Sequence, residues 1–412
     1  MKILLIHQYF LEKDDGGGSR FNELTKFWAE AGNEITVIAG MVHYATGKKR
    51  SKYKRKFIVK EQYDRNIKVY RCHVSEAYNS SFIGRLWAYF SFVFSSIIAA
   101  IFFVREKYDV VLVTSPPLFV GITGYLVSRL KRLPLIFEVR DLWPESAIDT
   151  GVLKNKVIIK LAFAFEKFIY AKSVRINTLT PAFYNILKSK KNVSEEKLWM
   201  IPNGSDFSFS DAILEKFDRD TFRESMNWYD KTVFLYIGAH GIANHLVQII
   251  DAAERLTGTK AHFVLIGDGM DKPNLINQAQ QRNLKNIQFL EPVPKSEVFK
   301  YILASDVGMS VLKKTDTFKT VYSNKTFDYM ACKKPILMLI DGVSRDLIES
   351  ADCGLYAEPE DIEDIVNKVK IYLNDKDKIC KQGENGYAYA KQNFDRTLLA
   401  QKYLLNLQNV VK

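Results

Sequence analysis

The residues best placed for chemistry are Ser323-Asn324-Lys325-Thr326-Phe327-Asp328-Tyr329-Met330-Ala331-Cys332-Lys333-Lys334-Pro335, followed by the apolar strand Ile336–Ile340. Ser323 or Asn324 can cap a helix whose N–H groups and positive dipole end favour a diphosphate, and Lys325 adds a full charge in its first turn. Asp328 follows three residues later on the same helix face. A cation for phosphate beside a carboxylate that accepts bonds from sugar or ribose hydroxyls is what a nucleotide sugar requires. The competing reading is an exposed helix carrying an ordinary i,i+3 ion pair.

Other candidates sit in loops after strand-like runs, where open α/β sheets bind ligands. Gly16-Gly17-Gly18 precedes a helix, so a phosphate or an acceptor sugar could approach its bare backbone; a plain flexible turn reads equally well. Gly267-Asp268-Gly269 ends a strand, with Asp268 as a ligand or as a turn residue. Arg140 and Asp141 follow the strand Leu135–Glu138. Asp141 can take or orient the proton of an acceptor hydroxyl while Arg140 holds an acceptor phosphate, or the two can brace the Trp143-Pro144 turn. His43 precedes a basic run and is either an acceptor contact or incidental. The sequence has no metal-ligand cluster and no Asp-x-Asp in a donor loop, so no divalent metal and no cofactor are expected.

The elements that must position these groups alternate strand and helix, the pattern of parallel sheets covered on both faces. Expected strands in the first half are Ile3–His7, Ile35–Ala39, Ile67–Arg71, Val110–Val113, Leu135–Glu138, Ser173–Asn177 and Leu198–Ile201. The pattern restarts at Val233–Ile237, His262–Ile266, Ile287–Phe289, Val307–Ser310 and Ile336–Ile340. The fold class is α/β, with two doubly wound, Rossmann-like domains facing a cleft, and 412 residues suffice for two cores. The boundary is expected at the Pro202-Asn203-Gly204 turn, giving domains 1–203 and 204–385, with the turn as a hinge.

Charge is unevenly spread. Residues 1–200 hold 32 Lys+Arg and 18 Asp+Glu, against 27 and 29 in the remainder, so the first half carries the positive excess. The densest run is Lys48-Lys49-Arg50-Ser51-Lys52-Tyr53-Lys54-Arg55-Lys56-Phe57, followed by Lys60. It points to an anionic membrane surface, with a solvated loop as the alternative; no nucleic-acid motif accompanies it. Leu86–Val104 is uncharged and about as long as a bilayer-spanning helix, yet it lies between two runs that should share one sheet. A buried or interfacial helix is therefore expected, with Trp87, Tyr89, Phe90, Phe92 and Phe94 suited to lipid. Four scattered cysteines and the absence of a signal-like leader point to a reducing cytoplasm.

Read together with Ile201-Pro202-Asn203-Gly204-Ser205-Asp206, Asp141-Leu142-Trp143-Pro144-Glu145-Ser146 and Gly238-Ala239-His240-Gly241, the 323–340 segment resembles glycosyltransferase family 4 of the GT-B superfamily. Within it, the WbuB-like and WcaI-like subgroup of L-fucosamine and colanic-acid transferases is most similar. The resemblance implies retaining, metal-independent transfer from a UDP-sugar such as UDP-N-acetyl-L-fucosamine to a polyprenyl-diphosphate-linked sugar at the cytoplasmic membrane face. It implies donor contacts from Gly17, Gly18, Gly267, Asp268, Asn324, Lys325 and Asp328, with the backbone of Val293 reading the base. Acceptor contacts would come from Arg140, Asp141 and His43. The last helical stretch, about 386–412, would cross back onto the first domain.

The chain departs from the family pattern at three points. Thr320 stands where many members have the first of two glutamates, and the second is shortened to Asp328. The usual Arg and Lys after the Gly238 strand are missing, so diphosphate neutralisation would lean on Lys325, backbone amides and His240, and catalysis would draw on Asp141, Lys325 and His240. Arg140 replaces the usual catalytic-loop histidine. A non-catalytic sugar-nucleotide-binding partner and a GT-B sugar-nucleotide epimerase are the alternative functions.

Overall fold

The computed structural model describes the chain except residues 14–19, 44–46, 78–81, 150, 152 and 412. Gly17 and Gly18 therefore lie outside the described residues. The chain divides into two compact units, Met1–Pro202 with Thr397–Lys412, and Asn203–Arg396.

The first unit is built on β1 (Lys2–Ile6), β2 (Glu34–Gly40), β3 (Ile58–Asp64), β4 (Ile67–Cys72), β5 (Val110–Ser115), β6 (Leu135–Val139), β7 (Arg175–Thr178) and β8 (Leu198–Met200). Their spatial order is β3-β4-β2-β1-β5-β6-β7-β8. All pairs are parallel except β3 on β4. Every residue of β5 and β6 is buried, as expected of central parallel strands covered on both faces. The sheet is flanked by α1 (Arg20–Glu30), α2 (Phe82–Ile98), α3 (Val120–Lys131), α4 (Glu145–Asp149), α5 (Lys156–Lys172) and α6 (Pro181–Ser189).

α2 continues through a π-helical turn, Ala99–Phe103. Ile83–Phe103 is the only helix among the described residues long and apolar enough to cross a membrane, and 44% of its apolar 18-residue window is buried. It connects β4 and β5 of one sheet and packs on β2, β4 and α3.

The basic run is not an isolated cluster of cations. Ser51–Tyr53 forms a 3-10 turn with Tyr53 buried, and its hydroxyl donates to Glu61 at 2.8 Å. Lys52 pairs with Glu12 and Glu61, Arg50 with Glu12, and the Lys49 backbone N–H with Glu76. Lys54, Arg55, Lys56 and Phe57 remain exposed.

The second unit holds a six-stranded parallel sheet in the order β11-β10-β9-β12-β13-β14. Its strands are β9 (Thr232–Ile237), β10 (Ala261–Ile266), β11 (Ile287–Leu290), β12 (Val307–Val311), β13 (Ile336–Leu339) and β14 (Gly354–Tyr356). The return to the first unit differs from the expected 386: the whole helix Lys376–Asn393 stays in the second unit, and only residues from Thr397 onward belong to the first. Gly383 explains the difference, because a Cβ there would lie 2.2 Å from the Lys333 carbonyl oxygen; the helix is seated against that backbone. In the first unit, Tyr403 of the last helix is fully buried near Trp28, whose indole N–H donates to the Ala400 carbonyl at 3.0 Å.

Candidate active site

In the second unit the chemistry gathers where β9 and β10 end and the helix Asn324–Ala331 begins. Gly238 has φ +153° and Gly267 φ +144°. A Cβ on Gly267 would lie 1.9 Å from the Gly238 carbonyl oxygen, so the two loops meet backbone to backbone. The Cβ missing at Gly238 leaves room for the end of Lys325, whose Cε would be 3.2 Å away. The helix itself is fixed to the sheet by Tyr329, whose hydroxyl donates to the Leu235 carbonyl at 3.1 Å and accepts from the Ile237 N–H at 3.2 Å.

Lys325 does not form the i,i+3 pair with Asp328. Its ammonium lies 4.5 Å from the centre of the Tyr236 ring, with no carboxylate partner among the described residues. Burial lowers its pKa from 10.5 to about 8. A desolvated ammonium held only by an aromatic face is stabilised when an anion arrives. Asp328 instead accepts from the Ser205 hydroxyl at 2.6 Å, and Asn324 accepts from the Asn203 side-chain amide at 2.6 Å. The Asn203–Ser205 turn thus holds two of the predicted donor residues.

His240 is fully buried, and neither ring nitrogen has a hydrogen-bond partner. Burial, reinforced by the field of Lys272, lowers its pKa to about 4. It is therefore a neutral hydrogen-bonding group at physiological pH and does not add the positive charge expected of it. Lys272 donates to the Gly267 and Leu290 carbonyls at 2.9 and 3.2 Å and pairs with Glu291 at 2.8 Å. Asp268 accepts from the Gly269 N–H at 2.8 Å, the behaviour of a turn residue. Val293 is half-buried against the core beneath, and Thr320 closes its own turn by donating to the Thr317 carbonyl at 2.7 Å.

In the first unit, Arg140 and Asp141 follow β6. Arg140 Nη1 lies 3.4 Å from His7 Nε2 at the end of β1. His7 is buried with Nδ1 unpartnered; burial, then Arg140 and Arg71, hold its pKa well below the usual range. Asp141 accepts from the Ser146 hydroxyl at 2.7 Å rather than bracing Arg140, and burial raises its carboxyl above the ordinary value. A carboxylate so raised is a better proton acceptor than an exposed one. His43 lines a small depression beside Glu12, Arg50 and Arg71 at the ends of β1 and β2. The structure brings His7, Arg140 and Asp141 into one neighbourhood, and Asn324, Lys325 and Asp328 with Gly238, Gly267 and His240 into another. Sequence reasoning missed His7, Ser205, Tyr236 and Lys272. Only His7, at the carboxyl end of a central strand, carried a usable signal.

Among the described residues, no group of three or more His, Cys, Asp or Glu side chains converges on a metal position. A family model described as a glycosyl transferase 4-like domain matches residues 15–204, and one described as glycosyl transferases group 1 matches 218–389. WcaI of Escherichia coli (strain K12), named for glycosyl transfer in colanic acid biosynthesis, is 23% identical over 99% of this chain and 100% of its own. The N,N'-diacetylbacillosaminyl-diphospho-undecaprenol alpha-1,3-N-acetylgalactosaminyltransferase of Campylobacter jejuni is 23% identical over 70% of this chain and 74% of its own. Among solved structures, sucrose-phosphate synthase from Thermosynechococcus elongatus superposes with TM-score 0.77 at 14% identity, covering 99% of this chain and 98% of that one. Anabaena HepE in complex with UDP gives 0.72 at 16%, covering 99% and 100%.

Proposed function

Since the chain is a family 4 glycosyltransferase with the GT-B fold of two Rossmann-like domains, we propose that it moves a sugar from a UDP-sugar to a polyprenyl-diphosphate-linked sugar of a surface polysaccharide, with retention and without metal. An N-acetylated deoxyhexose such as N-acetyl-L-fucosamine is the proposed donor sugar. The observation that carries the donor assignment is the unpaired Lys325 ammonium beside the bare backbones of Gly238 and Gly267. The UDP bound to HepE and the diphospho-undecaprenol in the name of the Campylobacter relative support the two substrate classes.

In this reading Lys325 and the helix start stabilise charge developing on the leaving diphosphate, the largest service such a site can render. Asp328 accepts from the ribose, and His240, buried where the Gly238 and Gly267 loops meet, fixes those loops through the bonds of its backbone to Asp268 and Asp271. The bond from the sugar's anomeric carbon to the UDP oxygen breaks as the acceptor oxygen bonds that carbon on the same face; the acceptor's proton passes to the leaving phosphate. Asp141 orients the acceptor hydroxyl, and Arg140 holds the acceptor's phosphate.

The acceptor's lipid requires a membrane-docked enzyme, and α2 is built for one. Its inner face carries Ser91, Ser95 and Ser96, bonded to the Ala88 and His73 carbonyls and to Thr123. Its outer face shows Ile83, Trp87 and Phe94, each more than 60% exposed. A helix that turns serines inward and aromatics outward suits an apolar surrounding on its outer side, so we place the protein on the inner face of the cell membrane. The test is incubation with a panel of UDP-sugars and a polyprenyl-diphosphate-linked N-acetylhexosamine. A one-sugar mass increment in the lipid-linked product supports the proposal; no increment with any donor overturns it.

A further inference from the structure

A cavity of about 600 Å³ lies in the first unit between α5, α6 and the 190–197 turn. That volume is in the range of small-ligand sites. At its base Lys191 Nζ lies 2.6 Å from both Glu166 oxygens and 2.6 Å from Glu145, so one ammonium serves two carboxylates. That ammonium offsets one of the two carboxylate charges, and Lys197 is a further cation lining the cavity. At the rim, Lys167 and Lys190 are exposed and form no ion pair among the described residues, and the walls are Phe163, Ile186 and Val193. The site therefore has apolar walls above an ion-paired floor and a cationic mouth.

Beside the mouth, α5 carries an apolar stripe spaced i, i+4, i+7 and i+11: Val157, Leu161, Ala164 and Phe168. Val157 is 68% and Leu161 64% exposed. Lys156, Lys160 and Lys172 flank the stripe on the same helix, all exposed. Next to the stripe on α5, half-buried Phe165 stacks on Phe119 at 6.0 Å, and Phe119 meets Phe90 of α2 at 4.9 Å. Two helices distant in sequence therefore present one apolar surface.

We propose that this cavity holds the phosphate head of an acidic bilayer phospholipid, with its acyl chains lying along the α5 stripe. Lys167 and Lys190 take the phosphate, and Phe163 and Ile186 take the first carbons of the chain. Continuity with the α2 face and the lysines around α5 favour a lipid of the surrounding bilayer. The proposal rests on the membrane-docked reading above, not on the identity of donor or acceptor.

The experiment is cosedimentation with vesicles of phosphatidylcholine alone and with phosphatidylglycerol, for the wild type, Lys167→Glu/Lys190→Glu, and Ala171→Trp, which plugs the mouth without changing charge. Circular dichroism and thermal unfolding check that each variant is folded, and neither UDP binding nor transfer is read, so failure of the donor assignment would leave these results untouched. The expected result is a wild-type partition at least about tenfold stronger with phosphatidylglycerol, an increment lost in both variants. An increment kept by Ala171→Trp would reduce the effect to diffuse attraction and overturn the site, as would an unchanged double variant. Soluble dihexanoyl-phosphatidylglycerol should bind the wild type and not Ala171→Trp in calorimetry. Binding of geranyl phosphate in its place would overturn the choice of a bilayer lipid in favour of a prenyl carrier.

Discussion

The Ser205 hydroxyl donates to Asp328 Oδ1 at 2.6 Å, joining the turn that opens the second unit to the helix that carries Lys325. Asp328 is one methylene shorter than the glutamate of many family members, and this bond fixes the rotamer of the shorter side chain. A hydrogen bond to a charged acceptor contributes about 1.5–3 kcal/mol. Ser205→Ala should therefore raise the Kd for UDP at least about threefold with little change in the fold. Calorimetric titration of UDP checks it, and an unchanged Kd would remove Asp328 from the donor contacts.

The lowered pKa of Lys325 predicts a pH profile. Its folded value of about 8 lies below the ordinary 10.5, so between those values the unfolded chain binds more protons, and stability rises with pH across that window. UDP prefers the protonated ammonium and should behave oppositely. Between about pH 7 and 8, where the terminal phosphate is ionised, its affinity should be flat, and it should weaken toward tenfold per pH unit above about pH 8. The Lys325→Ala profile should be flat over the whole of that range; a flat wild-type profile would contradict the assignment.

Gly267 and Gly238 should respond differently to alanine. At Gly267 the new methyl collides with the Gly238 carbonyl at a φ that L-residues rarely adopt. The expected cost is on the order of 3 kcal/mol, read from denaturant unfolding. At Gly238 the methyl meets the movable end of Lys325. Gly238→Ala should cost less stability and weaken UDP binding more than its stability loss explains.

Asp141→Asn keeps the shape and the partner Ser146 but loses the charge that orients the acceptor hydroxyl. Transfer should fall by about 10²-fold, while UDP binding, measured separately, stays within about twofold of wild type. A parallel loss of UDP binding would show that Asp141 belongs to the donor side.

Most of the fold was readable because central parallel strands are continuous apolar runs such as Val110–Val113 and Ile336–Leu339. β3 was missed because it is an antiparallel edge strand whose Lys60, Glu61 and Gln62 read as loop, and β14 because it has only three residues. The Lys325 and Asp328 pattern was visible at helical spacing, but the bond that sets Asp328 comes from 123 residues away. The pairing of Lys52 with Glu12 and Glu61 was hidden likewise, because it depends on how β3 and the loop after β1 fold beside the basic run. His240 could be found by its motif, whereas its neutrality follows from burial, which spacing does not reveal.

The most direct test of Lys325 as the diphosphate cation compares UDP with uridine, which shares the base and ribose but has no phosphate. Calorimetry on wild type and Lys325→Ala should show a loss of at least about tenfold in UDP affinity with uridine binding unchanged. Equal losses for both ligands, or none for UDP, would contradict the assignment on which the proposed reaction rests.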